Sequence, residues 1–443
     1  MSANDQGGEG REVLRLALGE VYGEPEGFFD RQERIAGWSQ ERLRRARVMV
    51  VGAGAIGNEV LKNLALLGVG YLFVVDFDTI APSNLSRTVL FRPEDVGQPK
   101  AMVAAARVRE LCLEPGARVD AYHGDMVWEL GTGVFRAMDL VLGCVDNVEA
   151  RLAINRQCHL ADVPWIDAGI LELAGHVVFF QPRESACYRC SLTRQQLARS
   201  RERYSCDDFK RRAFQAGEAP TVQVTSALVA ALQVQEAAKY LCGLPVQPGV
   251  RLHFQGTLNE LMAVRMTRVE ECPAHFEYPP PAELDLAGST TLRQLLEEVG
   301  APERSGPGAS LDLRSERGFV MRVRCRGCSQ WVELGKPRFA VYATDAWCEA
   351  CAAQGESDIA PEVSSETEEL SLFRPGETPD EVLDRTLEQI GIPLLGVLPV
   401  CGASGEYRYY ELTGDRSRLL PGIFAAQSRA ASLERKERSD GGH

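Results

Sequence analysis

This chain has no uninterrupted apolar stretch long enough to cross a bilayer. Its opening residues, MSANDQGGEG, hold no apolar signal region, and their polar, acidic character predicts a disordered start. An excess of positive charge is missing too. The formal net charge is −13, which argues against nucleic acid as the main partner. No internal repeats are visible. These absences predict a soluble, cytoplasmic protein without nucleic-acid or membrane partners. At 443 residues the chain exceeds one usual domain and can bury a large core.

Cysteine, by contrast, is plentiful at 13 residues. In a large intracellular chain, pairs spaced C-x-x-C point to metal rather than to disulfides. Cys325 and Cys328 (CRGC) precede Cys348 and Cys351 (CEAC), with nineteen residues between Cys328 and Cys348. Two such knuckles flanking the β-rich WVELGKPRFAVYAT predict a four-cysteine zinc ribbon, closed and therefore structural. A further pair, Cys187 and Cys190 (CYRC), follows a predicted strand from His176 to Gln181.

The densest information lies between Val48 and Arg87. An apolar strand, Val48 to Val51, runs into Gly52, Gly54 and Gly57, then into a helical pattern ending near Gly68. A second strand, Tyr71 to Val75, delivers Asp76 at its carboxyl end. This is a βαβ nucleotide-binding unit. The glycines allow a tight turn and close approach to a ligand, and the helix start offers free N–H groups to phosphate. Asp76 suits ribose hydroxyls. On this turn alone an NAD enzyme is the default reading.

The residues that follow change it. DFDTIAPSNLSR, then GQPK at 97–100, then GCVDN at 143–147, resemble the ThiF/MoeB superfamily of ubiquitin-activating and sulfur-carrier-activating enzymes, from about Arg31 to Arg268. The resemblance implies ATP-dependent adenylation of the C-terminal glycine of a ubiquitin-fold protein. A carboxylate attacking the α-phosphate is repelled by the triphosphate, so cations must offset that charge and a metal must organise the leaving pyrophosphate. The family has no Walker lysine. By resemblance Asn84, Arg87 and Lys100 line the phosphates, Asp76 holds the ribose, and Asp146 holds Mg²⁺, with Asp78 in the same acidic lip. Taken singly, Lys100 is equally a solvated lysine opening the helix Ala101 to Leu111, and Arg87 a surface arginine; the series assigns them. In homodimeric relatives an arginine of an Arg-Gln motif crosses into the partner's site, and here FDRQERIAG offers Arg31. Family members also complete the Cys187/Cys190 pair with downstream ligands, which here become Cys272 and His275 of ECPAHFEY. Three cysteines and one histidine make an ordinary zinc set.

The expected fold is α/β: a Rossmann-like adenylation domain with a mixed, largely parallel sheet, followed by an α+β extension containing the zinc ribbon. The expected divisions are an N-terminal tail with helices (1–46) and the adenylation domain (47–283) with a crossover loop at 190–220. Beyond these come the ribbon-bearing extension (284–355), an acidic linker (356–372), a small α+β unit (373–433) and a disordered tail (434–443). A helix is predicted over Thr225–Leu241, and a short one over Thr291–Val299. A third is predicted with Thr378 as its cap and Gly391 at its end. Cys401 and Arg408 in CGASGEYR sit one residue too far apart for a phosphatase C-x5-R loop, and Gly402–Gly405 reads as a hairpin turn. The extension reads as a docking module for a partner protein.

Which activator this is depends on the crossover. SLTRQQLARSRERYSCDDFKRRAFQAGEAP is long, charged and poor in apolar residues, and it carries Cys206 among Arg201, Arg203, Lys210, Arg211 and Arg212. Positive surroundings favour a thiolate, although Asp207 and Asp208 oppose that. Cys206 is therefore the expected nucleophile for a thioester, passed on to a conjugating enzyme. With the charged, zinc-bearing extension, the chain looks most like bacterial activating enzymes of ubiquitin-like conjugation operons, some of which serve antiphage defence. The alternatives are a sulfur-carrier activator without thioester transfer and a catalytically inactive nucleotide-binding scaffold.

Overall fold

Every residue of β1 (Arg47–Val51) after the first is buried, as is β2 (Tyr71–Asp76) up to Val75. Strands apolar on both faces need cover on both, as in a parallel sheet. Val48 and Val50 pack into one core with the helices Ala55–Leu67, Lys100–Leu111 and Gln223–Cys242. Met49 and Val51 point the other way, into a second core with the helix Val148–Ala161. These features come from a computed structural model, which describes residues 27–197, 221–313, 317–352 and 366–424. Before β1 it contains the short helices Asp30–Glu33 and Gln40–Arg45.

The sheet continues with β3 (Arg118–His123), β4 (Leu140–Gly143), β5 (Trp165–Leu171), β6 (Ala174–Phe180), β7 (Val250–Gln255) and β8 (Glu260–Arg265). The spatial order is β3-β2-β1-β4-β5-β6-β7-β8. From β3 to β5 all neighbours are parallel, and from β5 to β8 all are antiparallel. The expected mixed, largely parallel α/β sheet is present. The chain moves outward from β1 through β2 to β3, then returns to β4 on the other flank of β1. That reversal opens a crevice beyond the carboxyl ends of β1 and β4, where open α/β sheets bind ligands.

Downstream lie β9 (Ala282–Leu284), β10 (Ser310–Asp312), β11 (Phe319–Arg324), β12 (Trp331–Pro337), β13 (Thr367–Leu370), β14 (Leu372–Phe373), β15 (Val397–Cys401) and β16 (Tyr407–Leu412). Here the expected divisions need correcting. Strands from 284–355 and from 373–433 share one five-stranded sheet, β14-β10-β15-β16-β9, so these are one unit. They also share one core, where Leu284, Leu311, Val400 and Tyr410 meet the helix Leu292–Val299. The end of the acidic stretch 356–372 is not a linker either. It forms β13 against β11, where Glu368 meets Arg322 at 2.6 Å and Glu366 meets Arg324 at 3.1 Å. In sequence its charge looks like solvation; in the sheet a basic strand lies alongside. Residues 353–365 lie outside the described residues.

Thr291 caps its helix through Gln294, as the pattern predicts. The helix expected from Thr378 to Gly391 is instead two helices, Asp380–Leu383 and Leu387–Ile390, and Thr386 supplies the capping hydroxyl with Gln389. Thr378 accepts from the Arg374 amide at 2.9 Å. A short hairpin joins β15 to β16, with Cys401 opposite Tyr407.

The extension is locked to the domain built on the eight-stranded sheet. Leu394 and Leu395 enter the second core, and their carbonyls accept from the amides of Gly131 and Gly133 at 2.7 and 3.0 Å. Arg136 reaches the buried Glu411 at 3.0 Å. Among the described residues no helix is long and apolar enough to cross a membrane.

Candidate active site

The crevice is a cleft of about 1470 Å³, lined among others by Gly52, Gly54, Asp76, Asp78, Asn84, Arg87, Lys100 and Asp146. It exceeds what one drug-sized ligand needs, roughly 300–1,000 Å³. The turn that floors it requires glycine for stated reasons. Gly52 has φ of +95°, and a Cβ there would lie 2.5 Å from the Cys144 carbonyl oxygen. A Cβ on Gly57 would collide with the Gly52 carbonyl oxygen, whereas one on Gly54 would meet no atom within 4 Å. Gly54 stands before the helix Ala55–Leu67, whose first turn has no side-chain cap, so its amides are available to an anion.

Asp76 holds the turn as well as facing the cleft. Its two oxygens accept the amides of Ala53 and Asp78, each at 2.7 Å. Burial pushes its carboxyl above the usual range, against the opposing pull of Lys100 and these amides. Residues 78–80 run beside 97–100: Asp78 accepts the Lys100 amide at 2.9 Å, and Ile80 bonds to Gln98 and Gly97. This pairing sets Lys100 Nζ 2.8 Å from Asp78 Oδ2, with the lysine side chain only 11% exposed. A solvated surface lysine is therefore not what the structure holds. Asn84 is buried and its Oδ1 accepts from the Ala81 amide at 2.9 Å, which leaves Nδ2 as its donor for a ligand. Arg87 bonds the Ser83 carbonyl at 2.9 Å from a half-buried position on the same wall.

Asp146 is exposed at the opposite lip, just before Asn147 caps the helix Val148–Ala161. Its backbone is held by residues that sequence reasoning missed. Arg151 donates to the Val145 carbonyl at 2.6 Å and pairs with Asp167 at 2.8 Å, while Asp167 also meets His176 at 3.2 Å. Burial alone would raise Asp167, but Arg151 and His176 reverse that and hold its carboxyl below the usual range. Gln233, wholly buried, donates to the carbonyls of Gly143 and Ile166 at 3.1 and 2.8 Å. Asn58 ties the glycine turn to Leu90. These partners come from far along the chain, and only Arg151, five residues after Asp146, had a local signal. Arg31 is exposed on its short helix and is not among the residues lining this cleft.

Two further clusters lie apart from it. The donor atoms of Cys187, Cys190, Cys272 and His275 all fall within 4.8 Å of one another, as do those of Cys325, Cys328, Cys348 and Cys351. Cys187 Sγ lies 3.6 Å from Cys190 and 3.8 Å from Cys272, Cys190 Sγ lies 3.6 Å from His275 Nε2, and Cys328 Sγ lies 3.7 Å from Cys348. Tetrahedral zinc with Zn–S of about 2.3 Å requires sulfurs about 3.8 Å apart, so both sets fit the metal. The apolar core of the ribbon is small, with Val320, Val323 and Ala346 at its centre, too little to fold without such a staple. Metal analysis is expected to find two zinc ions per chain, and chelation to lower the melting temperature. One ion per chain would remove the Cys272/His275 set, and none would remove both.

Cys206 lies outside the described residues, as does most of the crossover loop. The chain re-enters at Thr221, which lines the cleft and bridges to Glu172. Of the other cysteines, Cys144 lines the cleft, but burial pushes its thiol well up, as it does for Cys158 and Cys112.

The ThiF family is matched over residues 29–276. Ubiquitin-like modifier-activating enzyme 5 of Bombyx mori is 34% identical over 214 residues, 45% of this chain and 52% of that protein. The sulfur carrier protein adenylyltransferase of Thermus thermophilus is 34% identical over 252 residues, 55% of this chain and 88% of that one. The chain thus spans about half the length of the first relative and most of the second. Among solved structures, E. coli MccB aligns with a TM-score of 0.47 and 22% identity, over 56% of this chain and 72% of that one. The match over more than half of the 443 residues, on the segment that builds the glycine turn, Asp76, Lys100 and Asp146, means that this chain belongs to the ThiF family.

Proposed function

We propose that the cleft adenylates the C-terminal carboxylate of a ubiquitin-like protein. The observation that carries this reading is the convergence of Asp76, Arg87, Lys100 and Asp146 on one cleft with room for a nucleotide and an extended chain end. The triphosphate lies along the Gly52–Gly57 turn and the uncapped helix start, with the ribose at Asp76. A carboxylate oxygen of the incoming chain attacks the α-phosphorus, the bond to the bridging oxygen breaks, and pyrophosphate leaves. Arg87, Lys100 and the Asn84 amide offset the charge that grows on that leaving group. Lys100 exchanges its Asp78 partner for phosphate oxygens, so Asp78 keeps it oriented beforehand. Mg²⁺, when bound at Asp146, would neutralise phosphate oxygens. Zinc at the two cysteine clusters would be structural.

The acyl-adenylate then passes to Cys206 as a thioester, with AMP leaving, and from there to a conjugating enzyme. Support comes from the basic neighbours of Cys206 and from Thr221, where its segment rejoins the cleft rim. Arg31 serves a partner subunit's site in a homodimer, consistent with its absence from the lining of its own chain's cleft. A role in antiphage conjugation is the pathway this reading favours. A sulfur-carrier activator is the second reading, favoured by the near-complete coverage of the Thermus protein. An inactive scaffold or an NAD enzyme has no use for Arg87, Lys100 and Asp146 together.

The deciding experiment is ATP–pyrophosphate exchange with a ubiquitin-fold protein ending in a free glycine carboxylate. Exchange that also runs with the carboxylate amidated, or not at all, overturns the adenylation reading.

A further inference from the structure

One wall of the cleft does not come from the adenylation domain. Arg338, Phe339 and Tyr342, all from the zinc ribbon, line it together with the segment His123–Trp128 that follows β3. Phe339 lies flat on Trp128, with ring centroids 5.0 Å apart and planes within 10°. The root of the ribbon anchors there as well. Arg317 donates to the carbonyls of Trp128 and Val127, both at 2.9 Å, and its guanidinium lies 5.6 Å over the Trp128 ring. Phe339 belongs to none of the apolar cores of the extension. A half-buried aromatic ring outside every core, turned toward a cleft, calls for another explanation.

The sheet register says what lies at this end. With the phosphates at the turn after β1 and the ribose at Asp76, on the end of β2, the nucleobase extends toward β3, whose His123 pairs in register with Asp76. The base therefore arrives at the segment His123–Trp128, under the ribbon. We propose that the zinc ribbon completes the nucleobase subsite: Phe339, held on Trp128, presents an aromatic face to the purine of ATP. The ribbon, whose cysteines do not line the cleft, thereby sets how well the nucleotide is held. This rests on the cleft being an ATP site, and the test separates the two claims.

The measurement is calorimetric titration of the zinc-loaded full chain with ATP and, separately, with inorganic tripolyphosphate. Base–aromatic stacking amounts to about a tenfold change in Kd, so Phe339→Ala should weaken ATP by about that factor. Tripolyphosphate, which has no base, should bind the variant as it binds the wild type. Phe339→Leu keeps an apolar side chain on the ribbon in case alanine loosens it, and should weaken ATP alone by several-fold. Phe339→Tyr should restore it. Unchanged ATP affinity in the alanine and leucine variants, or equal loss of ATP and tripolyphosphate, overturns the ribbon's role and leaves the cleft assignment standing. Failure of the wild type to bind ATP overturns both.

Discussion

Replacing Lys100 with alanine is expected to lower ATP–pyrophosphate exchange by roughly 100-fold or more while leaving the protein folded. The ammonium sits 2.8 Å from Asp78 at the cleft wall, on the first residue of the helix Lys100–Leu111. Its apolar stem is buried, but it is not part of the sheet's cores, so alanine removes charge more than packing. A cation that meets the leaving pyrophosphate gains interaction as charge develops there, and that gain is a rate effect. Arg87→Ala, on the same wall of the cleft, should act in the same direction. Circular dichroism and a melting curve confirm that the fold survives. Full exchange in the folded Lys100→Ala protein would sink the assignment of this cleft.

Cys206→Ala should separate the two half-reactions completely. Exchange should persist, because adenylation needs only the cleft, whereas the reductant-sensitive conjugate with the ubiquitin-like protein should vanish. A mixed anhydride is labile in water; thiolate attack on its acyl carbon, with release of AMP, converts it into a transferable intermediate. The described cysteines offer no good substitute. Cys144 lines the cleft but burial keeps its thiol protonated, Cys158 is buried on the other face, and Cys401 sits at a distant hairpin. A conjugate that persists in the variant places the nucleophile elsewhere. A wild type that never forms one favours the sulfur-carrier reading.

Much of the site was legible because it depends on short-range geometry. A glycine that must take positive φ, an acid at the end of an apolar strand, and cysteines two residues apart each specify a local backbone arrangement that sequence spacing reports directly. Gly52 takes a positive φ and Asp76 sits at the end of β2, as their spacing predicts. The donor atoms of Cys325, Cys328, Cys348 and Cys351 gather within 4.8 Å of one another as their spacing predicts, and those of Cys187, Cys190, Cys272 and His275 as the family resemblance implies. The divisions of the C-terminal half were not legible, and the acidic stretch shows why. Charge in one dimension does not reveal that Arg322 and Arg324 lie beside it in a sheet. The helix that ends at Gly391 is capped by Thr386 instead of Thr378, and its Leu387 and Ile390 are buried in the core of the extension.

By itself, then, the order of residues determined the glycine turn, the acid and base types around it, the C-x-x-C pairs and the family. The tertiary structure alone decided that Lys100 is held against Asp78, that Arg151 and Asp167 brace the loop carrying Asp146, and that a ribbon some two hundred residues downstream walls the same cleft. The physical reason is the range of the interactions. Periodicity, capping and turn chemistry act over a few residues, whereas buried ion pairs and aromatic stacks form only where packing brings distant segments to within a few ångströms, and no local pattern encodes which segments meet.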